Sequence, residues 1–317
     1  MANITKIDER QNEPDIIIRL AAQRRLYDIA KKYNNGLFMF NVVLMTTLTA
    51  LSLCLNSELL SAYFGFAQKD YSNYLLAVSV IVVIAEKFIV SDQIDNNRET
   101  AAKIQEQLDR RIYNWDWNEV IAGNEPREAD IIKHGQWFLE RNGDKKLRDW
   151  YPLRASEAEH LLQVLICQNA NLSWDLSLRK RINQAMLWLG FLLFAATFGI
   201  AIALDVPASA LVVNLISLLG PVCAYGHTAK KENKEFIEQS EHLLDCVEDA
   251  IRSTSTGISE AALLKKVENI QEQIFLKRKK SWLIPTFFYW TVREKDEVIM
   301  IQNAEVLESR FKDIKLS

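Results

Sequence analysis

The sequence predicts an all-α membrane protein: four transmembrane helices in two hairpins, with long helices extending into a helical cytosolic domain. Three observations predict it. Hydrophobic residues make up 49% of the 317 residues while 25% are charged, yet mean hydropathy is only −0.07. That average comes from apolar blocks set among charged ones rather than from even mixing. Four of the blocks reach the roughly 20 residues that cross a bilayer. Finally, 10 Gly and 6 Pro are too few for a turn-rich β fold or a disordered chain.

In chain order, residues 1–36 form a cytosolic N-terminal helix. The first hairpin occupies 37–90, with spans 37–55 and 74–90. A cytosolic helical insertion fills 91–185, the second hairpin 186–226 has spans 186–204 and 208–225, and cytosolic helices complete 227–317. The first span carries no charge, and the second has Glu86 and Lys87 only in its last turn. A polar, charged segment from Met1 to Asn35 precedes them and does not read as a signal peptide.

Charge orients the set. Arg24, Arg25, Lys31 and Lys32 precede the first span, and Lys87, Arg98 and Lys103 follow the second. Arg179, Lys180 and Arg181 precede the third, and Lys230, Lys231 and Lys234 follow the fourth. The loop between Asn56 and Asn73 holds Lys69 alone, and the turn at Asp205 to Pro207 holds no cation. The positive-inside rule therefore puts both termini and the middle segment in the cytoplasm, and Tyr63, Phe64, Phe66, Tyr71 and Tyr74 suit the opposite interface belt.

No Gly or Pro lies between Gly65 and Gly123, nor any Gly between Gly226 and Gly257. The second span is thus expected to run on to about Tyr113, about 58 Å at 1.5 Å per residue, and the fourth past Ile251. Further helices are expected at Arg127–Arg141, Ser156–Asn169, Ser259–Lys279 and Glu294–Phe311, with Asp130 and Ser259 as caps or first-turn residues. Asp116 to Glu119 is expected to form a turn that closes the long helix.

Chemistry-bearing signatures are sparse. There is no phosphate loop, nucleophile elbow or zincin pattern, so no enzyme and no cofactor are expected. Cys54, Cys167, Cys223 and Cys246 form no C-x-x-C pair, and His134, His160, His227 and His242 stand apart, so no metal is expected. A net charge of −3 argues against DNA or RNA as partner. Within the bilayer, Asn41, Met45, Thr49, Ser52 and Asn56 share one helix face, and Asn214, Ser217, Pro221 and Tyr225 another. Polar groups avoid lipid, so these faces turn toward other helices. They serve either as glue within one chain or as the lining of a wet path formed on oligomerisation, with Asn41, Thr49, Ser52, Asn56, Asn214 and Ser217 as lining candidates.

Outside the spans, arginine forks beside aromatic rings are what a nucleotide site would use. Arg24, Trp174, Arg179, Arg278 and Tyr289 are the candidate ligand-binding residues. Core packing and attraction to lipid headgroups are the alternatives for the same rings and charges.

Ordered motifs carry a resemblance. Ala22-Gln23-Arg24 with Tyr27 opens the series, followed by Gln105, Asp109, Trp117 and Asn118. Next come Trp150-Tyr151-Pro152, Cys167-Gln168 with Asn171, and Trp174-Asp175 with Leu178-Arg179. Ile270-Gln271, Ile274-Phe275, Arg278, Pro285 and Phe288-Tyr289 end it. The chain resembles, over nearly its whole length, the SMODS-associated four-transmembrane pore-forming effector family of bacterial antiphage, CBASS-like defence. The resemblance implies an inner-membrane effector whose partner nucleotidyltransferase makes a cyclic oligonucleotide second messenger. The effector would bind it, act as a homo-oligomer or open, and breach the bilayer in abortive infection. A membrane-tethered scaffold without a pore and a constitutive small-ion channel are the alternatives.

Overall fold

The computed structural model describes residues 6–153, 158–174, 176–284, 293–311 and 314, except the side chains of 174, 177, 178 and 293–300. Every regular element among them is helical. The chain begins with α1 (Ile7–Arg10) and α2 (Pro14–Phe38). A π-helical stretch, Met39–Leu44, leads into α3 (Met45–Asn56), so that Pro14–Asn56 is one helix. A short α4 (Glu58–Phe64) precedes α5 (Ser72–Ala85), a second π stretch (Glu86–Val90) and α6 (Ser91–Tyr113), which together also form one helix. Then follow α7 (Glu119–Ala122), α8 (Glu128–Asn142), α9 (His160–Trp174), α10 (Leu176–Ala203), α11 (Ala208–Ser255), α12 (Glu260–Lys280) and α13 (Arg293–Phe311).

Helix ends follow local chemistry. Asn114 closes α6 in the left-handed region, with φ 59. Trp115 N donates to Arg110 O at 2.8 Å and Asn114 N to Arg111 O at 3.3 Å, the paired bonds of a Schellman stop. The long helix thus stops at Asn114, and the expected turn is shorter by one residue: Asp116 to Asn118 are non-helical, Glu119 already opens α7, and Asn118 caps that helix by accepting from Val120 N and Ile121 N. Ser259 takes the N-cap position of α12 without a side-chain cap bond, and Asp130 falls in the first turn of α8. α9 starts at His160, not Ser156, and extends to Trp174; residues 154–157 lie outside the described set.

The chain divides into two compact units. The membrane unit comprises residues 31–94 and 181–233, and four helices are long and apolar enough to cross a bilayer. The chain is thus a multi-pass membrane protein. The second and third spans bury 11% of their apolar window, the first and fourth 39%, so the latter pair supplies more of the bundle interior. Met45 and Val42 pack with Leu75, Leu218 and Val222 there, while Phe40, Ile81, Phe88, Leu187, Phe191 and Ile202 remain exposed on the outside. So many large apolar side chains suit lipid rather than water as the solvent. Ser57 ties the far end: its hydroxyl accepts from Leu60 N and donates to the Leu204 carbonyl at 3.0 Å.

The extramembrane unit comprises residues 1–30, 95–180 and 234–317. Its centre is α9, apolar nearly all round and accordingly buried: Leu161, Leu162, Val164, Leu165, Ile166, Cys167 and Leu172 all belong to one core. α12 and α13 pack against it. α8 approaches α2 so closely that a Cβ on Gly135 would lie 2.5 Å from Ile18 Cγ1 and 2.6 Å from the Ile18 carbonyl oxygen.

Gly135→Ala is therefore expected to destabilise the chain by about 1–3 kcal/mol, the usual penalty of overpacking, and to lower the apparent Tm in detergent. Gly36→Ala, where a Cβ meets nothing within 4 Å, should leave Tm unchanged or raise it slightly, because alanine favours the helix.

Candidate functional site

Charged residues stand where an amphipathic helix should be apolar. Glu106, Asp109 and Arg110 lie on the buried face of α6, alongside Gln105 and Gln107. Gln271 and Arg278 occupy the buried face of α12, two turns apart. A buried ion is costly unless paired and hydrogen-bonded, and here the partners are supplied across helices. Asp109 has no exposed surface. Its Oδ2 accepts from Arg278 Nη1 at 2.6 Å and from Gln271 Nε2 at 3.1 Å. Its Oδ1 accepts from the Tyr151 hydroxyl.

The network spreads from that carboxylate. Gln271 Nε2 also donates to Glu106 Oε2 at 2.8 Å, and Arg110 Nε donates to Glu106 Oε1 at 2.7 Å. Arg110 Nη1 reaches the Asp116 carbonyl at 2.7 Å. From α9, Asn171 donates to the Tyr151 hydroxyl at 3.1 Å and Gln168 to the Val267 carbonyl at 2.9 Å. Gln11 completes the frame by accepting from Tyr151 N at 2.7 Å.

Protonation follows. Burial, reinforced by Asp109, pushes Glu106 up to about 7 against the pull of Arg110 and Gln271. Burial holds the Tyr113 and Tyr151 phenols and the Cys167 thiol well above their ordinary values, with Asp109 adding to each. Burial alone would lower the Arg278 guanidinium, but Asp109 and Tyr151 hold it above its usual value.

A second set of cations gathers at the end of α12. Arg98 Nη1 donates to the Ser281 carbonyl at 3.0 Å and its Nη2 to Asp95 at 2.7 Å. Arg179 Nη1 donates to the Trp282 carbonyl at 3.1 Å, with its guanidinium 3.7 Å from the Phe236 ring centroid. Lys277 shares that ring at 4.1 Å and donates to Ser240 Oγ at 2.9 Å. All four cations, Arg98, Arg179, Lys277 and Arg278, are buried. Desolvation pushes the Tyr27 phenol up to about 12, while Arg278, Arg98 and Arg179 together pull it down. Arg278 Nη2 is buried with no hydrogen-bond partner among the described residues.

Of the residues expected to bind a ligand, Arg278 stands in the last turn of α12 and Arg179 reaches the Trp282 carbonyl just beyond it. Arg24 lies elsewhere on α2, 5.2 Å from the Trp150 ring centroid. Trp174 closes α9, with its side chain outside the described set, and Tyr289 lies outside the described residues altogether. Arg98, Lys277 and Glu106 were not among the expected site residues. Their signal was a charge on an otherwise apolar helix face. The membrane candidates Asn41, Thr49, Ser52, Asn56, Asn214 and Ser217 are all buried. Among the described residues, no group of three or more His, Cys, Asp or Glu could hold a metal.

The family model of the SMODS-associating 4TM effector domain matches residues 5–307. A probable CBASS effector molecule from Bacillus cereus (strain VD146) is 25% identical over 299 residues, covering 93% of this chain and 95% of the relative. No solved structure matches.

The Glu106 shift makes stability depend on pH. Its folded value near 7 exceeds the ordinary 4.5, so the folded state holds the proton more tightly. That contribution is complete below about pH 4.5 and is lost as pH rises through about 7. The apparent Tm of the wild type should therefore fall between about pH 5 and about pH 8, and Glu106→Gln should flatten the decline in a differential scanning fluorimetry series.

Proposed function

Because the chain belongs to the SMODS-associating 4TM effector family, we propose that this antiphage membrane effector senses a cyclic oligonucleotide on its extramembrane unit and permeabilises the inner membrane. The infected cell would then die before phage are released. Both termini lie in the cytoplasm, where the basic residues flanking the spans hold them, and copies assemble as a homo-oligomer. The scaffold and constitutive-channel alternatives differ in predicting no messenger-dependent leakage.

The observation that carries the sensing reading is that Arg98 and Arg179 reach the carbonyls of Ser281 and Trp282 in the non-helical segment Ser281–Ile284, with Arg278 in the last turn of α12 just before it. Arg98 and Arg179 spend donors on backbone carbonyls of Ser281 and Trp282. A phosphate oxygen is a stronger, charge-assisted acceptor than a carbonyl and would displace them, while Arg278 Nη2 offers a further donor. Trp174 and Tyr289 are the aromatic faces on which a base would stack, with Arg24 as an outer contact. Binding of this kind shifts a resting ensemble toward an open one in proportion to its preference for the open state.

Dye-filled liposomes carrying the purified chain test this with a panel of cyclic di- and trinucleotides. One messenger class is expected to trigger leakage, and Arg179→Ala should raise the concentration required by about tenfold or more, as for loss of a charge-assisted contact. Arg278→Lys keeps the ion pair to Asp109 but loses the fork, and should weaken the response in the same direction. Leakage indifferent to every messenger overturns the sensing reading.

A further inference from the structure

The interior of the membrane unit is polar in a way that simple interhelical adhesion does not explain. Asn41 Oδ1, Thr49 Oγ1, Ser52 Oγ, Asn56 Nδ2 and Asn214 Oδ1 are all buried without a hydrogen-bond partner among the described residues. In hydrocarbon each such group is expensive, and buried polar atoms left over in this way are the ones that water satisfies. They face the inside of a single copy, not a surface awaiting a second one.

Their depth is ordered. Phe38 meets Tyr225 edge-on at 6.0 Å between centroids, and Asn41 donates to Glu86 Oε2 at 2.7 Å. Counting the same number of residues outward along each antiparallel helix sets Thr49 level with Asn214, and Ser79 within one residue of that level. Thr197 and Asn214 stand equally far from the turn that joins α10 to α11. Every span thus contributes a buried hydroxyl or amide at one level: Thr49, Ser79, Thr197 and Asn214. Ser52 and Asn56 continue the polar surface toward the Ser57 end.

The same counting places Met45 level with Leu218 and Val82, between that polar layer and Glu86. These residues belong to the apolar cluster that Val42 and Val222 complete, and Met45 and Leu218 have no exposed surface. Two features surround this collar. The Asn41–Glu86 bond joins the two π-helical stretches, Met39–Leu44 and Glu86–Val90, and π turns are where helices adjust at functional sites. Glu86 is half-buried at the mouth, while its neighbour Lys87 is exposed. Apolar constrictions gate by excluding water, and a carboxylate at a mouth favours cations.

We propose that a path for small hydrated cations runs through the interior of each protomer, from Glu86 past the Met45–Leu218 collar into the polar chamber of Thr49, Ser79, Thr197 and Asn214. It rests on the permeabilising reading above and assigns that activity a route, a gate and a charge preference. Opening consists of parting the collar as the two π stretches rewind, after which Glu86 draws cations to the mouth.

The test uses the full chain in liposomes at low protein-to-lipid ratio under a potassium gradient, without messenger. Wild type and Met45→Leu are expected to stay tight. Met45→Ser and Leu218→Ser should release potassium at least tenfold faster, in proportion to protein density. On the Met45→Ser background, Glu86→Gln should shift the reversal potential toward zero as chloride becomes permeant. Monodisperse elution and unchanged helical circular dichroism establish that the variants are folded. Tight Met45→Ser and Leu218→Ser liposomes overturn the proposal, whether or not a messenger opens the wild type. If a messenger does open it, the effector reading survives with a route between protomers. Leaky Met45→Ser liposomes beside a wild type that no messenger opens uphold the path and overturn the sensing. A reversal potential unmoved by Glu86→Gln overturns the cation preference.

Discussion

A carboxylate with no access to water must be answered by donors from the protein, and Asp109 sets that requirement at the heart of the extramembrane unit. Its partners come from places far apart in sequence: Arg278 and Gln271 on α12, and Tyr151 after α8. Through Gln271 it is coupled to Glu106 and Arg110, and through Tyr151 to α9 and Gln11. Removing any one donor leaves charge stranded in a medium that cannot screen it, a loss that exceeds the net worth of the pair. Such an arrangement selects one way of packing α6, α9 and α12, because alternatives would leave Asp109 unmatched.

The membrane unit obeys the complementary constraint. Lipid offers no hydrogen bonds, so the exterior is Phe, Ile and Leu while hydroxyls and amides turn inward. Several of these satisfy themselves on their own helix: Thr197 on Leu193, Ser217 on Val213 and Asn214 Nδ2 on Ala210. The oxygen of Asn214 is left over, and it is such remainders, not the polar residues as such, that distinguish a seam from mere adhesion.

The spans were legible because water-soluble cores rarely hold apolar runs of bilayer length, and the polar stripes because their spacing repeats on one helix face. The inward extensions of the second and fourth spans were legible from missing glycine and proline, and the stop at Tyr113 from the turn-forming residues after it, whereas the continuity of α2 with the first span, across Gly36, was not. The motif residues Asp109, Tyr151, Gln168, Gln271 and Arg278 were visible as separate clusters. Their union was not, since an ion pair between positions 109 and 278 leaves no trace in local periodicity. Arg278, read from the sequence as a phosphate fork, spends one donor on Asp109 and keeps another uncommitted. The π-helical stretches were equally hidden, because a widened turn depends on what it packs against more than on its own residues.

The borders between the two units fall at 30/31, 94/95, 180/181 and 233/234, each inside a helix: α2, α6, α10 and α11. None of these four borders falls in a loop. A recombination event that joined one unit to a foreign counterpart would have to splice four helices in phase, since one residue of slip rotates all that follows by about 100°. Exchange of either unit for a foreign counterpart would have to preserve four helical phases at once, a constraint that favours divergence by point substitution on a common frame over exchange of cassettes.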